Sequence, residues 1–385
     1  MIEGDLARAE FGAGGTDRRT IVRGEGAFLW DAQGRKYVDL GASLGVANVG
    51  HAHPRVVAAI RAQAEALLYV SSAYSTRPRL EFVDRLLSLF PPALDRVFLS
   101  NSGTEAMETA LKLARSSTGR GEFVAMMRGF HGRTMGALSA TWRPELREPF
   151  GPLVPGMIHV PFNDVARLDA AVTDRTAAVV LEIVQGEGGV HVASPGFIAE
   201  VRRICDARGA LLVIDEVQTG VGRTGRNWAF ERYETVPDIV ALAKSLGGGL
   251  PIGATVTTSE VERRFRGTLH STFGGNPVAC AAGIAALDVL VSERLSERAE
   301  RLGGRTLEEL VGLASPQVRE VRGLGLMIGI ELRTRAAPIL EALRARGYLA
   351  SAAGAEVIRL LPPLTIADSD LSAGIATLGE VLAHG

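Results

Sequence analysis

The sequence predicts an α/β chain: a mainly parallel sheet wrapped by helices, with a smaller α+β part built from both chain ends. Three observations lead there. From about residue 54 to 265, short apolar runs alternate with amphipathic stretches. Those runs lack the polar alternation of a half-exposed strand, so they read as strands buried on both faces, as in a parallel sheet covered by helices. Residues 20–40 and the stretch after 315 show β-type runs punctuated by glycine, outside that alternation.

Residues 20–40 (T-I-V-R-G-E-G-A-F-L-W-D-A-Q-G-R-K-Y-V-D-L) predict a small antiparallel meander, because glycine turns separate β-branched and aromatic runs. Strands of the central sheet are expected at 96–99, 122–125, 157–160, 177–181, 210–214, 239–242 and 254–257. Between 277 and 312 the pattern is helical, and N-P-V-A-C-A-A-G-I-A-A-L-D-V-L is apolar throughout, which predicts a long helix buried on most sides. V-R-E-V-R-G-L-G-L-M-I-G-I-E-L and E-V-I-R-L-L-P-P-L return to strands, and a final helix is expected after Asp368. The expected division is 1–50 for the first piece of a small domain, 51–275 for the large domain and 276–385 for the rest of the small one.

Composition narrows the function. With 46% hydrophobic and 22% charged residues the 385-residue chain has an ordinary globular balance and a large core. The net charge of −1, with arginines scattered among acids, leaves no basic stripe for nucleic acid. No run approaches the ~18 apolar residues of a membrane span. The opening M-I-E-G-D-L-A-R-A-E carries acids where a signal peptide needs an apolar core. Cys205 and Cys280 are the only cysteines, so neither a disulfide framework nor a structural metal site is expected, and a reducing, cytoplasmic setting fits.

Lysine is scarce: Lys36, Lys112 and Lys244 stand against 39 arginines. Lys244 ends the apolar run of D-I-V-A-L-A-K-S-L-G-G-G, where apolar walls disfavour the charged amine and make it a better nucleophile toward a carbonyl. Read alone, the plainer reading is a surface lysine closing a strand. In S-N-S-G-T-E-A-M-E-T-A-L-K-L-A, small residues turn a strand into a helix near Thr104. Ser102, Gly103 and Thr104 there offer N–H groups and hydroxyls to a phosphate, or form an ordinary helix cap. The segment matches neither the P-loop nor the dinucleotide fingerprint.

In A-L-L-V-I-D-E-V-Q-T-G-V-G-R-T-G, Asp215 emerges at the C-terminal edge of the sheet, where open α/β sheets bind ligands. Its carboxylate could bind a metal, act as a base, face a cationic ring nitrogen or cap the next turn. Metal is the weakest of these, since Asp215 and Glu216 point to opposite faces and no histidine adjoins them. G-F-H-G-R-T gathers Phe130, His131 and Arg133 in one turn; E-I-V-Q-G-E-G-G places Glu182 and Glu187 at another strand end; H-S-T-F-G-G-N-P places Thr272 in a glycine loop. Together they supply what pyridoxal phosphate needs: a phosphate cradle, a partner for the pyridinium, a stacking ring and a Schiff-base lysine.

This ordered series, with D-E-V-Q-T-G-x-G-R-T-G, R-G-L-G-L-M-I-G and R-L-L-P-P-L, resembles the class III pyridoxal-phosphate aminotransferases, in particular the acetylornithine/ornithine aminotransferase family, from about residue 20 to the C-terminus. The resemblance implies a fold-type-I homodimer with both active sites at the subunit interface. It makes Lys244 the cofactor's lysine and Asp215 the partner of the pyridine nitrogen. Ser102, Gly103 and Thr104 would hold the phosphate with Thr272 of the partner subunit. Phe130, beside His131, would stack on the ring, and Gln218 would bond its phenolic oxygen. Arg133 would take the far carboxylate of the amino donor and Arg359 the α-carboxylate of glutamate or 2-oxoglutarate, with Glu187 as the switch that pairs with Arg359.

The implied activity moves the terminal amino group of an N-α-blocked ornithine or lysine, N-acetylornithine first, to 2-oxoglutarate, in arginine or lysine biosynthesis. R-E-V-R-G-L-G-L-M-I-G-I-E-L and M-R-G-F-H-G-R-T-M-G-A-L-S resemble most closely the branch whose substrates are tethered to an amino-group carrier protein. An aminotransferase for 4-aminobutyrate or another ω-amino acid is the remaining alternative. Met107, Ile183, Leu269 and His270 depart from the family's usual asparagine, proline and His-Gly. Leu44 stands where the free-ornithine enzymes carry tyrosine, which argues for a blocked α-amine.

Overall fold

The computed structural model describes residues 19–384. The opening segment read above as unlike a signal peptide lies outside them. The meander forms as expected: β1 (Ile21–Glu25), β2 (Phe28–Asp31) and β3 (Lys36–Asp39) pair antiparallel. All seven expected central runs are strands, namely β4 (Arg96–Ser100), β5 (Glu122–Met126), β6 (Met157–Val160), β7 (Thr176–Leu181), then, after the short hairpin β8 (Val184–Gln185) and β9 (His191–Val192), β10 (Leu211–Asp215), β11 (Ile239–Leu242) and β12 (Gly253–Thr257). They form one sheet in the order β4-β12-β11-β10-β7-β5-β6. Its central strands β7, β10, β11 and β12 are buried along their whole length, as continuous apolar runs require.

One strand reverses the expected direction. β12 runs antiparallel to both β11 and β4, while the other pairs are parallel. The connection 243–252 from β11 holds only a single helical turn, and a parallel crossover needs a dozen or more residues. That short return is where Lys244 sits.

Helix Gly103–Thr118 buries Ala106, Met107, Ala110, Leu113 and Ala114, the 3–4 spacing of one face, and ends at Gly119 in the left-handed region (φ 70°). The helical text after 277 divides into Pro277–Ser292 and Leu295–Gly312, with a break at Arg294 (φ 51°). The first of these packs on helices Pro54–Ala66 and Arg77–Leu87 and on the turn bearing Lys244. Toward the C-terminus β13 (Val318–Leu324), β14 (Met327–Leu332), β15 (Tyr348–Leu349), β16 (Ser351–Ala352) and β17 (Val357–Leu360) follow. β13-β14-β17-β16 make an antiparallel sheet, whereas β15 crosses back to pair with β3. Helix Asp368–His384 closes the described chain. No helix among the described residues is long and apolar enough to cross a membrane.

A buried arginine ties these parts together. Arg223, fully buried, donates to the carbonyls of Leu326 (2.9 Å) and Pro362 (2.6 Å) and to Asn48 Oδ1 (2.5 Å). Asn48 in turn donates to the Val221 carbonyl at 2.9 Å. Burial lowers the Arg223 pKa to about 9, with Asp39 opposing, so the guanidinium remains charged at neutral pH.

Candidate active site

The parallel strands β4, β5, β7, β10 and β11 finish at one edge of the large sheet, and the residues after them line a cavity of about 460 Å³. This is the crevice that strand direction alone predicts for an α/β sheet. Beyond β4, the Ser102 hydroxyl accepts the Glu105 N–H at 3.3 Å and caps helix Gly103–Thr118. The first N–H groups of that helix have no partner within it, and the helix dipole favours an anion there. A Cβ on Gly103 would come within 2.9 Å of Val217 Cγ1, so glycine lets the helix begin this close to the β10 edge. The Thr104 hydroxyl lies 2.7 Å from that of Thr134 and accepts the Arg133 and Thr134 N–H groups at 3.3 and 3.2 Å. It thereby fixes the turn that carries Arg133.

Asp215 ends β10. Its Oδ1 accepts the Val217 N–H at 3.0 Å and its Oδ2 lies 2.8 Å from His131 Nδ1. Burial opposes a charge on His131, but the hydrogen bond and charge of Asp215, with Glu182 behind them, outweigh it and raise the pKa. Glu182, at the end of β7, accepts the Phe130 N–H at 3.1 Å and the Gly186 N–H at 3.3 Å. Its own pKa is raised to about 7, by burial first and by Asp215, with His131 opposing. His131 Nε2 is buried and has no partner among the described residues.

Lys244 follows β11 with a left-handed backbone (φ 48°), after an extended Ala243, and opens the short turn Lys244–Gly247. Burial, and then the charge of Arg359, lower its pKa to about 8, against the pull of Glu187, Asp215 and Glu182. Arg359, from β17, is 1% exposed. Its Nη1 donates to Glu187 Oε1 at 2.6 Å and to Gln218 Oε1 at 3.3 Å, and its Nε to Ser351 Oγ at 3.3 Å. A Cβ on Gly186 would collide with the Gln218 amide, which accounts for the first glycine of Q-G-E-G-G.

These groups fit pyridoxal phosphate. A ring (Phe130), a carboxylate with lone pairs to spare (Asp215), a helix N-terminus and an amine of depressed pKa all open on one cavity. Each expected site residue lines that cavity except Arg359, which joins it through Glu187 and Gln218, and Thr272. Thr272 is exposed and borders a separate hollow with Tyr69 and Phe273. Sequence reasoning placed Glu182 at a strand end but gave it no role; it directly follows β7, as Asp215 closes β10. It also passed over Val217, in the turn just after β10, where its N–H donates to Asp215 Oδ1 and its side chain lines the cavity.

The departures are structural in different ways. Met107 and Ile183 are fully buried core residues. Leu269 packs partly against the core under helix Gly103–Thr118, while His270 is exposed. Leu44 is 54% exposed, and its carbonyl accepts from Gln218 Nε2 at 3.4 Å.

Comparison with known proteins agrees with this geometry. The family model described as aminotransferase class-III matches residues 12–382. The chain is 49% identical over 366 residues to an acetylornithine aminotransferase of Methanopyrus kandleri, covering 94% of each chain. It is 47% identical to a [LysW]-aminoadipate semialdehyde transaminase of Deinococcus radiodurans, covering 94% of this chain and 85% of the other. The crystal structure of an ornithine aminotransferase from Toxoplasma gondii superposes with a TM-score of 0.95 at 33% identity, over 100% of this chain and 96% of that one. The chain therefore belongs to the class-III aminotransferases and is a pyridoxal-phosphate-dependent transaminase.

Proposed function

We propose that this protein transfers the terminal amino group of an N-α-blocked ornithine or lysine, N-acetylornithine foremost, to 2-oxoglutarate, giving the semialdehyde and glutamate. The observation that carries the reading is the Glu187–Arg359 pair. In this structure the arginine suited to an α-carboxylate is already neutralised by a carboxylate of the protein at 2.6 Å. An ω-amine substrate brings no carboxylate next to the reacting carbon, so it is accommodated with the pair closed. Glutamate and 2-oxoglutarate do bring one, and displace Glu187 from Arg359. Arg133, exposed at the same cavity, then takes the carboxylate at the substrate's other end.

The bound cofactor supplies an electrophilic carbonyl and an electron sink. Asp215 would hold the proton of the cofactor's ring nitrogen, with His131 fixing the position of its carboxylate. Lys244 withdraws the proton from the amine-bearing carbon and carries it on Nζ, a task suited to an amine whose pKa is about 8. Ser102, Gly103 and Thr104 would hold its phosphate, with Phe130 for the ring and Gln218 for the phenolic oxygen.

Thr272, exposed and outside the cavity, supports a homodimer in which each chain lends this hydroxyl to its partner's phosphate. Exposed apolar side chains near it, Leu68, Tyr69 and Phe273, give that contact a surface. The pairing of β15 with β3 supports one small domain drawn from 1–50 and 276–385 around a large domain of 51–275. A cytoplasmic biosynthetic role accompanies this reading.

A second reading, a carrier-linked aminoadipate semialdehyde transaminase, rests on likeness to the Deinococcus and Pyrococcus furiosus proteins so named. A panel of amino donors tests both, with glutamate formed from 2-oxoglutarate as the readout. Turnover of N-acetylornithine or an N-α-acylated lysine is expected. Turnover of 4-aminobutyrate in their place would overturn the proposal.

A further inference from the structure

Arg133 lines the catalytic cavity, yet its side chain has no hydrogen bond or ion pair among the described residues. The backbone of its own turn therefore decides where its guanidinium lies, and one face of helix Gly103–Thr118 holds that turn. Thr104 and Glu108 stand four residues apart on that face. Thr104 Oγ1 accepts the N–H groups of Arg133 and Thr134. Glu108, one helical turn on, takes the next part of the chain. Its Oε1 accepts the Thr134 hydroxyl at 2.6 Å, the Gly136 N–H at 2.8 Å and the Ala137 N–H at 3.1 Å.

Those two amides open the short helix Met135–Ala140, whose N-cap residue, Thr134, supplies no side-chain cap. Free N–H groups at a helix start are ordinarily met by the cap residue itself. Here a carboxylate from another helix meets them, and the helix dipole favours a negative charge at that end. The hydroxyls are ordered as well. A carboxylate only accepts, so the Thr134 proton goes to Glu108, and the Thr104 proton goes to Thr134, 2.7 Å away. Each link of such a chain polarises the next. Gly132 and Gly136 permit the close approach, since a Cβ on either would collide with Thr104 or with the Glu108 carboxylate. Glu108 is half-buried and forms no ion pair among the described residues, so these three donors are what its charge meets.

We propose that Glu108 is a positioning residue for the substrate. By clamping Thr134, Gly136 and Ala137 onto helix Gly103–Thr118, it holds Arg133 at a fixed place on the cavity wall and so sets the grip on the far carboxylate. The proposal rests on the function put forward above, in which Arg133 takes that carboxylate. The clamping helix also begins at Gly103 and Thr104, so the phosphate residues and the carboxylate's anchor are built on one rigid element. A shift of about 1 Å in such an anchor can cost on the order of a hundredfold in rate.

The test compares kcat/KM for N-α-acetylornithine with that for N-acetylputrescine, the same molecule without its carboxylate. The holoenzymes are the wild type, Glu108→Ala, Glu108→Gln and Arg133→Gln. The ratio is expected to exceed about tenfold in the wild type and to collapse in Arg133→Gln. In Glu108→Ala it should fall about tenfold, through KM for N-α-acetylornithine, with N-acetylputrescine turned over as before. Glu108→Gln keeps an acceptor oxygen and should restore most of the ratio. Should Glu108→Ala fail to fold, Thr134→Val removes the hydroxyl link alone and should lower the ratio in the same direction. A ratio that Arg133→Gln collapses and Glu108→Ala or Thr134→Val leaves unchanged overturns the proposal.

Amide hydrogen exchange, read by mass spectrometry on peptides spanning 130–140, follows the clamp without turnover. Protection of Gly136 and Ala137 should be lost in Glu108→Ala and kept in Glu108→Gln; unchanged protection in Glu108→Ala overturns the clamp. A wild-type ratio near one, or one unmoved by Arg133→Gln, overturns the role given to Arg133 in the function above, and exchange then decides the clamp by itself.

Discussion

The depressed pKa of Lys244 is directly measurable because the chain has only two other lysines to serve as exposed references. In the cofactor-free protein, competitive labelling with a trace amine-reactive reagent, read by mass spectrometry across pH, follows all three amines together. Lys36 and Lys112 are both exposed. With a pKa of about 8 against the ordinary 10.5, half of Lys244 is neutral at pH 8, where about one in three hundred ordinary lysines would be. Its labelling should therefore level off above pH 8 to 9. Burial comes first among the causes and the charge of Arg359 second, so Arg359→Gln should move the midpoint upward without restoring it to 10.5. Stability carries the same signature. A lysine whose folded pKa is depressed costs stability that is fully present below pH 8 and disappears as pH rises to 10.5. Lys244→Met in the cofactor-free protein should gain up to about 3 kcal/mol below pH 8 and nothing above 10.5. A Lys244 labelling midpoint at or above 10 would refute the argument from burial.

Four further outcomes are expected. Borohydride treatment of the holoenzyme should fix the cofactor on the peptide containing Lys244, and Lys244→Ala should abolish turnover. Asp215→Asn should retain bound cofactor but lose about two to three orders of magnitude in kcat, since the charge facing the ring nitrogen is gone while the side chain's shape is kept; single-turnover kinetics on bound cofactor reads this directly. Glu187→Ala leaves Arg359 unpaired and should lower kcat/KM for the ω-amine about 10- to 100-fold while sparing the glutamate half-reaction; half-reactions measured separately decide it. Arg223→Leu strands three acceptors at about 1–3 kcal/mol each, less the cost of burying the charge, so urea unfolding should show a loss of roughly 3–5 kcal/mol.

Much of the fold was legible because the central strands are continuous apolar runs, a pattern that survives without tertiary context. The direction of β12 was not, because it depends on the length of the return from β11 and not on the composition of either strand. The β3–β15 pairing was invisible for another reason: two residues at 348 and 349 carry no periodicity, and their partner lies at the other end of the chain. At the site, Asp215 and Lys244 stood out as polar groups ending apolar strands. Glu182 satisfied the same rule, yet its coupling to His131 depends on how the turn after β5 folds over β7.

Arg223 bears on motion as well as stability. Its three acceptors come from the segment after the N-terminal meander, from the turn between β13 and β14, and from the chain just beyond β17. A charge lodged among three stretches so distant in sequence resists hinge-like breathing, because any opening would expose it and its carbonyls at once. Arg223 thus opposes any separation of these three stretches from one another. In the function proposed above, the change of substrate falls to rotation of the Glu187 side chain, with this three-way tie left intact.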